Sequence, residues 1–85
     1  MKKDGDYTYT VTLLVRNQPG VLVRCAQVFN RRGHNIEALH VQPDNTDETH
    51  SKMTIRAFGQ PSMMNQVVAQ LRKLPDVMQV TEKEV

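Results

Sequence analysis

Between Tyr7 and Arg32 the apolar residues change their spacing, and that change limits what the chain can fold into. Tyr7, Tyr9, Val11, Leu13 and Val15 recur at every second position, with Thr8, Thr10 and Thr12 between them. A period of two, carried by Tyr, Val and Thr, predicts a strand with one buried face. From Val21 to Arg32 the period lengthens. Leu22, Cys25, Ala26 and Phe29 fall at i, i+3, i+4 and i+7, the stripe of an amphipathic helix. Arg31-Arg32 followed by Gly33 is a stop signal, with cations in the last turn and then a residue tolerant of positive φ. A strand that delivers the chain straight into a helix belongs to a mixed layer of helices on a sheet.

The remaining pattern completes that layer. Asn35 to Val41 reads as a short second strand, and Pro43-Asp44-Asn45-Thr46-Asp47 as a loop. Ser51 to Phe58 alternates again, with Met53, Ile55 and Ala57 against Lys52, Thr54 and Arg56. The short link between these strands predicts an antiparallel hairpin. Gly59-Gln60-Pro61-Ser62 breaks the strand, and Pro61 is placed to open a helix. Met64, Val67, Val68 and Leu71 form its stripe, Pro75-Asp76 ends it, and Val77 to Thr81 is a last strand. The order is β-α-β-β-α-β, a ferredoxin-like α+β fold: a four-stranded antiparallel sheet with two helices on one face. Residues 7–81 form a single domain between a polar tail at 1–6 and another at 82–85. Eighty-five residues hold one thin core, so self-association is the expected source of further burial.

Composition narrows the function classes. Eleven Lys and Arg against nine Asp and Glu, interleaved along the chain, argue against a dedicated nucleic-acid surface. Cys25 is the lone cysteine and falls on the apolar stripe, which predicts a buried structural thiol and a reducing compartment. The first residues lead into no signal-peptide core, and no stretch reaches transmembrane length, so the expected setting is the cytoplasm, away from membranes. His34, His40 and His50 have no acidic or thiol partner at metal-ligand spacing and read as surface or loop residues. Phe29 belongs to a helix core, Phe58 ends a strand, and Tyr7 and Tyr9 share a face with Val11 and Leu13. None of these makes a base-stacking platform. Arg31-Arg32 fits a partner-facing patch and a dipole-complementing helix end equally well.

One segment carries positive chemistry. Arg16-Asn17-Gln18-Pro19-Gly20-Val21 joins the first strand to the first helix. A helix N-terminus presents unpaired N–H groups and the positive end of a dipole, which favour a carboxylate or phosphate. Pro19 and Gly20 shape the turn, and the Asn17 amide can donate and accept. The segment is open to two readings, a small-anion or amino-acid site and an ordinary strand-to-helix turn. A rival chemistry is acylphosphatase-like phosphate handling, with Arg16 and Asn35 beside the loop, although Pro19 replaces that family's loop sequence.

Four segments, taken together, carry a resemblance. Val15-Arg16-Asn17-Gln18-Pro19-Gly20-Val21, Phe29-Asn30-Arg31-Arg32-Gly33-His34-Asn35-Ile36-Glu37, Ser51-Lys52-Met53-Thr54-Ile55 and Gln70-Leu71-Arg72-Lys73-Leu74-Pro75-Asp76-Val77 follow one another in order and spacing. The chain thereby resembles the ACT domain of acetolactate (acetohydroxyacid) synthase small subunits over roughly Val11 to Val80. The resemblance implies a βαββαβ regulatory module, non-catalytic, in its short form. Such modules form homodimers by joining sheets and packing helices. They bind and stimulate a large catalytic subunit and confer feedback inhibition by a branched-chain amino acid, valine first. Carried over, Asn17 and Gly20 line the effector site, the amides of Val21 and Leu22 meet its carboxylate, and Asn35 and Ile36 come from the partner chain. Thiamine diphosphate, Mg and FAD are implied for the catalytic partner alone, and no cofactor for this chain. His34 stands where the family usually has an aromatic, and His40 and Gln42 where smaller or less polar residues are common.

Overall fold

A computed structural model of the chain describes residues 7–46 and 48–84. The elements are β1 (Tyr7–Arg16), α1 (Val21–Arg31), β2 (Asn35–Pro43), β3 (His50–Gly59), α2 (Pro61–Lys73) and β4 (Val77–Glu84). The strands form one antiparallel sheet in the order β2-β3-β1-β4. This is the expected ferredoxin-like arrangement. The expected tail at 1–6 lies outside the described residues.

β1 is the spine. Tyr9, Val11, Leu13 and Val15 are buried on its helix side, as the alternation predicts. They pack with Val21, Cys25, Val28 and Phe29 of α1, Met53, Ile55 and Ala57 of β3, and Val67, Val68 and Leu71 of α2. Each large aliphatic or aromatic side chain moved out of water contributes roughly 1.5–3 kcal/mol. Single turn or cap interactions contribute about 1 kcal/mol, so this face of β1 dominates the fold's energetics.

The opposite face is left open, and its register is regular. Ala38, Arg56, Thr10 and Lys83 lie in one row across the four strands. His40, Thr54, Thr12 and Thr81 form the next, and Gln42, Lys52, Leu14 and Gln79 the third. Directly opposed residues share a face.

Three expectations need correction. The buried stripe of α1 is Val21, Cys25, Val28 and Phe29, whereas Leu22 is 41% exposed. Cys25 and Phe29 hold their expected places, while Val21 and Val28 are buried where Leu22 and Ala26 were expected, since apolar residues occupy all of these positions. The angle at which the chain enters the helix selects Val21. β4 runs on to Glu84 instead of ending at Thr81, because Tyr9, Thr10 and Val11 pair with Glu84, Lys83 and Glu82. The polar composition that suggested a tail belongs to a solvent-facing edge whose backbone is nonetheless paired. His34, expected at the surface, is 4% exposed. Helix α1 ends in a Schellman motif, with Gly33 at φ 72, its amide on the Asn30 carbonyl at 3.1 Å and the His34 amide on the Phe29 carbonyl at 3.0 Å. That reversal turns His34 inward. Its Nδ1 shares a 2.6 Å hydrogen bond with the Tyr9 hydroxyl, and its ring meets Tyr9 edge-on at 5.5 Å.

Burial raises the Tyr9 phenol well above its ordinary range, so it stays neutral against His34. The Cys25 thiol is likewise pushed up, from 9.0 to about 11, chiefly by burial.

Two outcomes follow from this packing. A Cβ added at Gly59 would lie 2.5 Å from Cδ2 of the His34 ring. Gly59→Ala is expected to cost about 1–3 kcal/mol in denaturant unfolding, as overpacking does. Cys25 is expected to resist thiol reagents in the native chain at pH 8 and to react fully once unfolded. Its neutral thiol supports the fold fully below the unfolded value near 9, and that support is lost as pH rises towards about 11. A falling unfolding midpoint across that window is the check.

Candidate ligand site at the first strand-to-helix turn

The end of β1 is held from both sides. The Arg16 amide donates to the Asp76 carbonyl at 2.8 Å, and the Asn17 amide to the Thr49 carbonyl at 2.7 Å. The turn is thus pinned to the segment before β4 and to the hairpin before β3. Gln18 then donates back to Arg16 at 2.9 Å, and Gly20 enters the helix at φ 82. That left-handed backbone is open to glycine and strained for side chains with a Cβ.

No side chain caps α1, and its first turn holds no acidic residue. The Val21 amide leans towards the Gln18 carbonyl at 3.4 Å, longer than an ordinary N–H···O bond. The Leu22 and Val23 amides follow it at the uncapped end, where orphan donors attract an anion. Arg24 lies beside Gly20 and donates to Asp76 Oδ2 at 2.6 Å. Asp76 therefore holds the turn twice, once through its backbone and once through its carboxylate.

A cavity of about 70 Å³ opens at this turn. Arg16, Asn17, Gln18, Val21 and Leu22 form one side of it, and Val15, Val41, Ser51 and Met53 the other. The structure thus places Asn17, Val21 and Leu22 on one cavity, with Gly20 at the helix entrance. Asn35 and Ile36 lie elsewhere. They pair with Phe58 and Ala57 at the far end of β3. His50, opposite Arg16, lies eight residues from Phe58, roughly 26 Å along the strand. For the same reason Arg16 and Asn35 do not converge on one phosphate within the chain. Val41, Ser51 and Met53 escaped the sequence reading, because β2 and β3 contribute them through register, which no local motif encodes. Among the described residues, no cluster of three or more His, Cys, Asp or Glu is placed to hold a metal, and no helix is long and apolar enough to cross a membrane.

The two supports of the turn differ in weight. Gly20→Ala is expected to cost about 1–2 kcal/mol through its backbone alone. Asp76→Asn removes a half-exposed ion pair and is expected to cost about 0.2–1 kcal/mol, less at high salt. Thermal unfolding of the two variants in low and high salt separates these terms.

Comparison with known proteins places this geometry in a family. Residues 11–79 match the AHAS small subunit-like ACT domain. The probable acetolactate synthase small subunit of Archaeoglobus fulgidus is 45% identical over 74 residues, covering 87% of this chain and 46% of that protein. The acetolactate synthase isozyme 3 small subunit of Escherichia coli is 42% identical over 72 residues, covering 85% and 44%. The chain spans about half the length of the curated relatives it matches. Among solved structures, the Thermotoga maritima acetolactate synthase small subunit superposes with a TM-score of 0.76 at 33% identity, over 88% of this chain and 46% of that one. The ACT domain of the Chlorobium tepidum GTP pyrophosphokinase shares the fold alone, with a TM-score of 0.74 at 14% identity over 91% of this chain and 97% of that one. With its fold, its turn and most of its length inside the matched segment, this chain belongs to the AHAS small subunit-like ACT domain family.

Proposed function

We propose that this chain is an effector-sensing domain of an acetolactate synthase regulatory small subunit. It carries no catalytic group of its own. It pairs with a second copy, takes a branched-chain amino acid, valine first, and binds and regulates a thiamine-diphosphate-dependent large subunit in the cytoplasm. Any thiamine diphosphate, Mg or FAD belongs to that catalytic partner.

The observation that carries the reading is a half-built cavity beside an uncovered edge. About 70 Å³ is roughly half the volume of a cavity that takes up benzene, less than an aliphatic amino acid needs. A second wall is required. The adjoining surface suits one: Leu22 is 41% exposed, Val23 58%, Leu39 42% and Val41 44%, all near the β2 edge or the start of α1. Among the described residues β2 also has one backbone edge unpaired, since it is the outer strand beside β3.

Antiparallel pairing of β2 with its own copy supplies both needs. Strands that cross near Leu39 would set one protomer's Asn35 and Ile36 opposite the other's Gln42 and Pro43. Those positions adjoin Val41 and Ser51 at the cavity. The two residues that lie far from the turn within one chain thus return to it from the partner. The uncapped amides would then meet the effector's carboxylate, Asn oxygens its ammonium group, and Val41 and Met53 its aliphatic side chain. Such a pocket needs no titrating residue. Regulation follows as a coupling free energy between this interface and the catalytic partner.

Light scattering is expected to report a dimer. In a thermal-shift panel of amino acids, valine, leucine or isoleucine is expected to raise the melting temperature. A native-state ligand at a hundred times its dissociation constant adds about 2.7 kcal/mol. Asn17→Ala is expected to abolish the response. A chain that shifts with no amino acid and leaves its cognate large subunit's activity unchanged would sink the proposal.

A further inference from the structure

The open face of the sheet carries charge of one sign. Lys52, Arg56 and Lys83 all project from it and are exposed. Among the described residues, the three rows of this face hold no carboxylate, and the ion pair found, Arg24–Asp76, lies elsewhere. Asp44, on the loop at its rim, takes the Thr46 hydroxyl at 2.8 Å. Between the cations lie the hydroxyls of Thr10, Thr12 and Thr81, short side chains that keep the surface flat. A sheet face that is merely solvated carries both signs interspersed. Here the three rows carry cations alone, and the acid that meets them is Asp44 at the rim, which lines one cavity with Lys52.

We propose that this face docks an acidic protein surface. The inference rests on the regulatory-subunit reading and names the catalytic large subunit as owner of that surface. Dimensions argue for a macromolecule. Lys52 and Arg56 are four residues apart on β3, about 13 Å, and Lys83 lies two strands from Arg56, about 10 Å. No single small anion spans that triangle. Chemistry argues for protein over RNA, because the three rows hold no Phe, Tyr or Trp, carry His40 as their one ring, and Phe58, beyond them, is 8% exposed. Symmetry adds to the field. Joining β2 to its copy about a two-fold axis normal to the sheet sets both open faces on one side, with six cations on one continuous surface. Separated like charges of this kind steer encounter and set salt dependence.

The test measures binding of the full chain to its cognate large subunit by biolayer interferometry across a salt series. Wild-type affinity is expected to fall as salt rises. The triple variant Lys52→Glu/Arg56→Glu/Lys83→Glu is expected to bind at least a hundredfold more weakly, and Lys52→Gln/Lys83→Gln about tenfold more weakly. Both are expected to keep the wild-type thermal shift with the branched-chain amino acids, which also reports that they fold. Binding within twofold of wild type in the two variants overturns the docking face and leaves the regulatory reading standing. A wild-type chain that binds no large subunit overturns both. Preferential binding of a single-stranded RNA oligonucleotide, lost in the triple variant, also overturns it.

Discussion

Everything in this domain hangs on β1 being paired on both sides. Its backbone is satisfied by β3 and β4, and its inner face presents Tyr9, Val11, Leu13 and Val15 to both helices. A strand in that position has no spare degree of freedom. A slip of one residue would exchange Tyr9, Val11, Leu13 and Val15 for Thr10, Thr12, Leu14 and Arg16, leaving one apolar side chain of the four. The rigidity is inherited by whatever follows it. The turn after Val15 leaves the sheet at a fixed place, and the carbonyls of Asp76 and Thr49 hold it there. The candidate site is therefore built on a loop whose start is hydrogen-bonded to two neighbouring segments.

Periodicity exposed the order of elements, since alternation and helical stripes are local and β1, β3 and α2 each declare theirs over many residues. What it missed was set by three-dimensional context. The α1 stripe keeps Cys25 and Phe29 but takes Val21 and Val28 in place of Leu22 and Ala26, because apolar residues stand at all of these positions. His34 read as a surface residue because imidazole carries no fixed burial preference. Its place was decided by the Schellman reversal at Gly33 and by a phenol waiting opposite. The end of β4 was hidden because polar side chains say nothing about the backbone they ride on. At the candidate site, the contiguous residues Asn17 to Leu22 were legible. Val41, Ser51 and Met53 were not, since register brings them in.

Charge shows the same divide. Along the chain, acids and bases interleave and the net charge is small. In space they separate, because strand alternation sorts neighbours to opposite faces. Lys52 and Arg56 share a side of β3 while Ser51, Met53 and Ile55 take the other. A balanced sequence can thus fold into an unbalanced surface. The His34–Tyr9 pair illustrates a related economy. The imidazole meets the Tyr9 ring edge-on, as a phenyl ring could, and adds a hydrogen bond that a phenyl ring lacks.

The bulge in β2 has its own effect. Pairing with β3 shifts register between Ile36 and Ala38, leaving Glu37 out of the ladder. A bulge sharpens local twist and interrupts the even spacing of donors and acceptors along a strand's free side. The regular part of that side runs from Ala38 to Pro43, and Pro43 has no N–H to give. An incoming strand therefore finds a short template bounded at both ends. It can grip only a handful of backbone groups before it meets the kink at one end and the imino nitrogen at the other. Such a free edge is a poor template for an indefinite stack of strands.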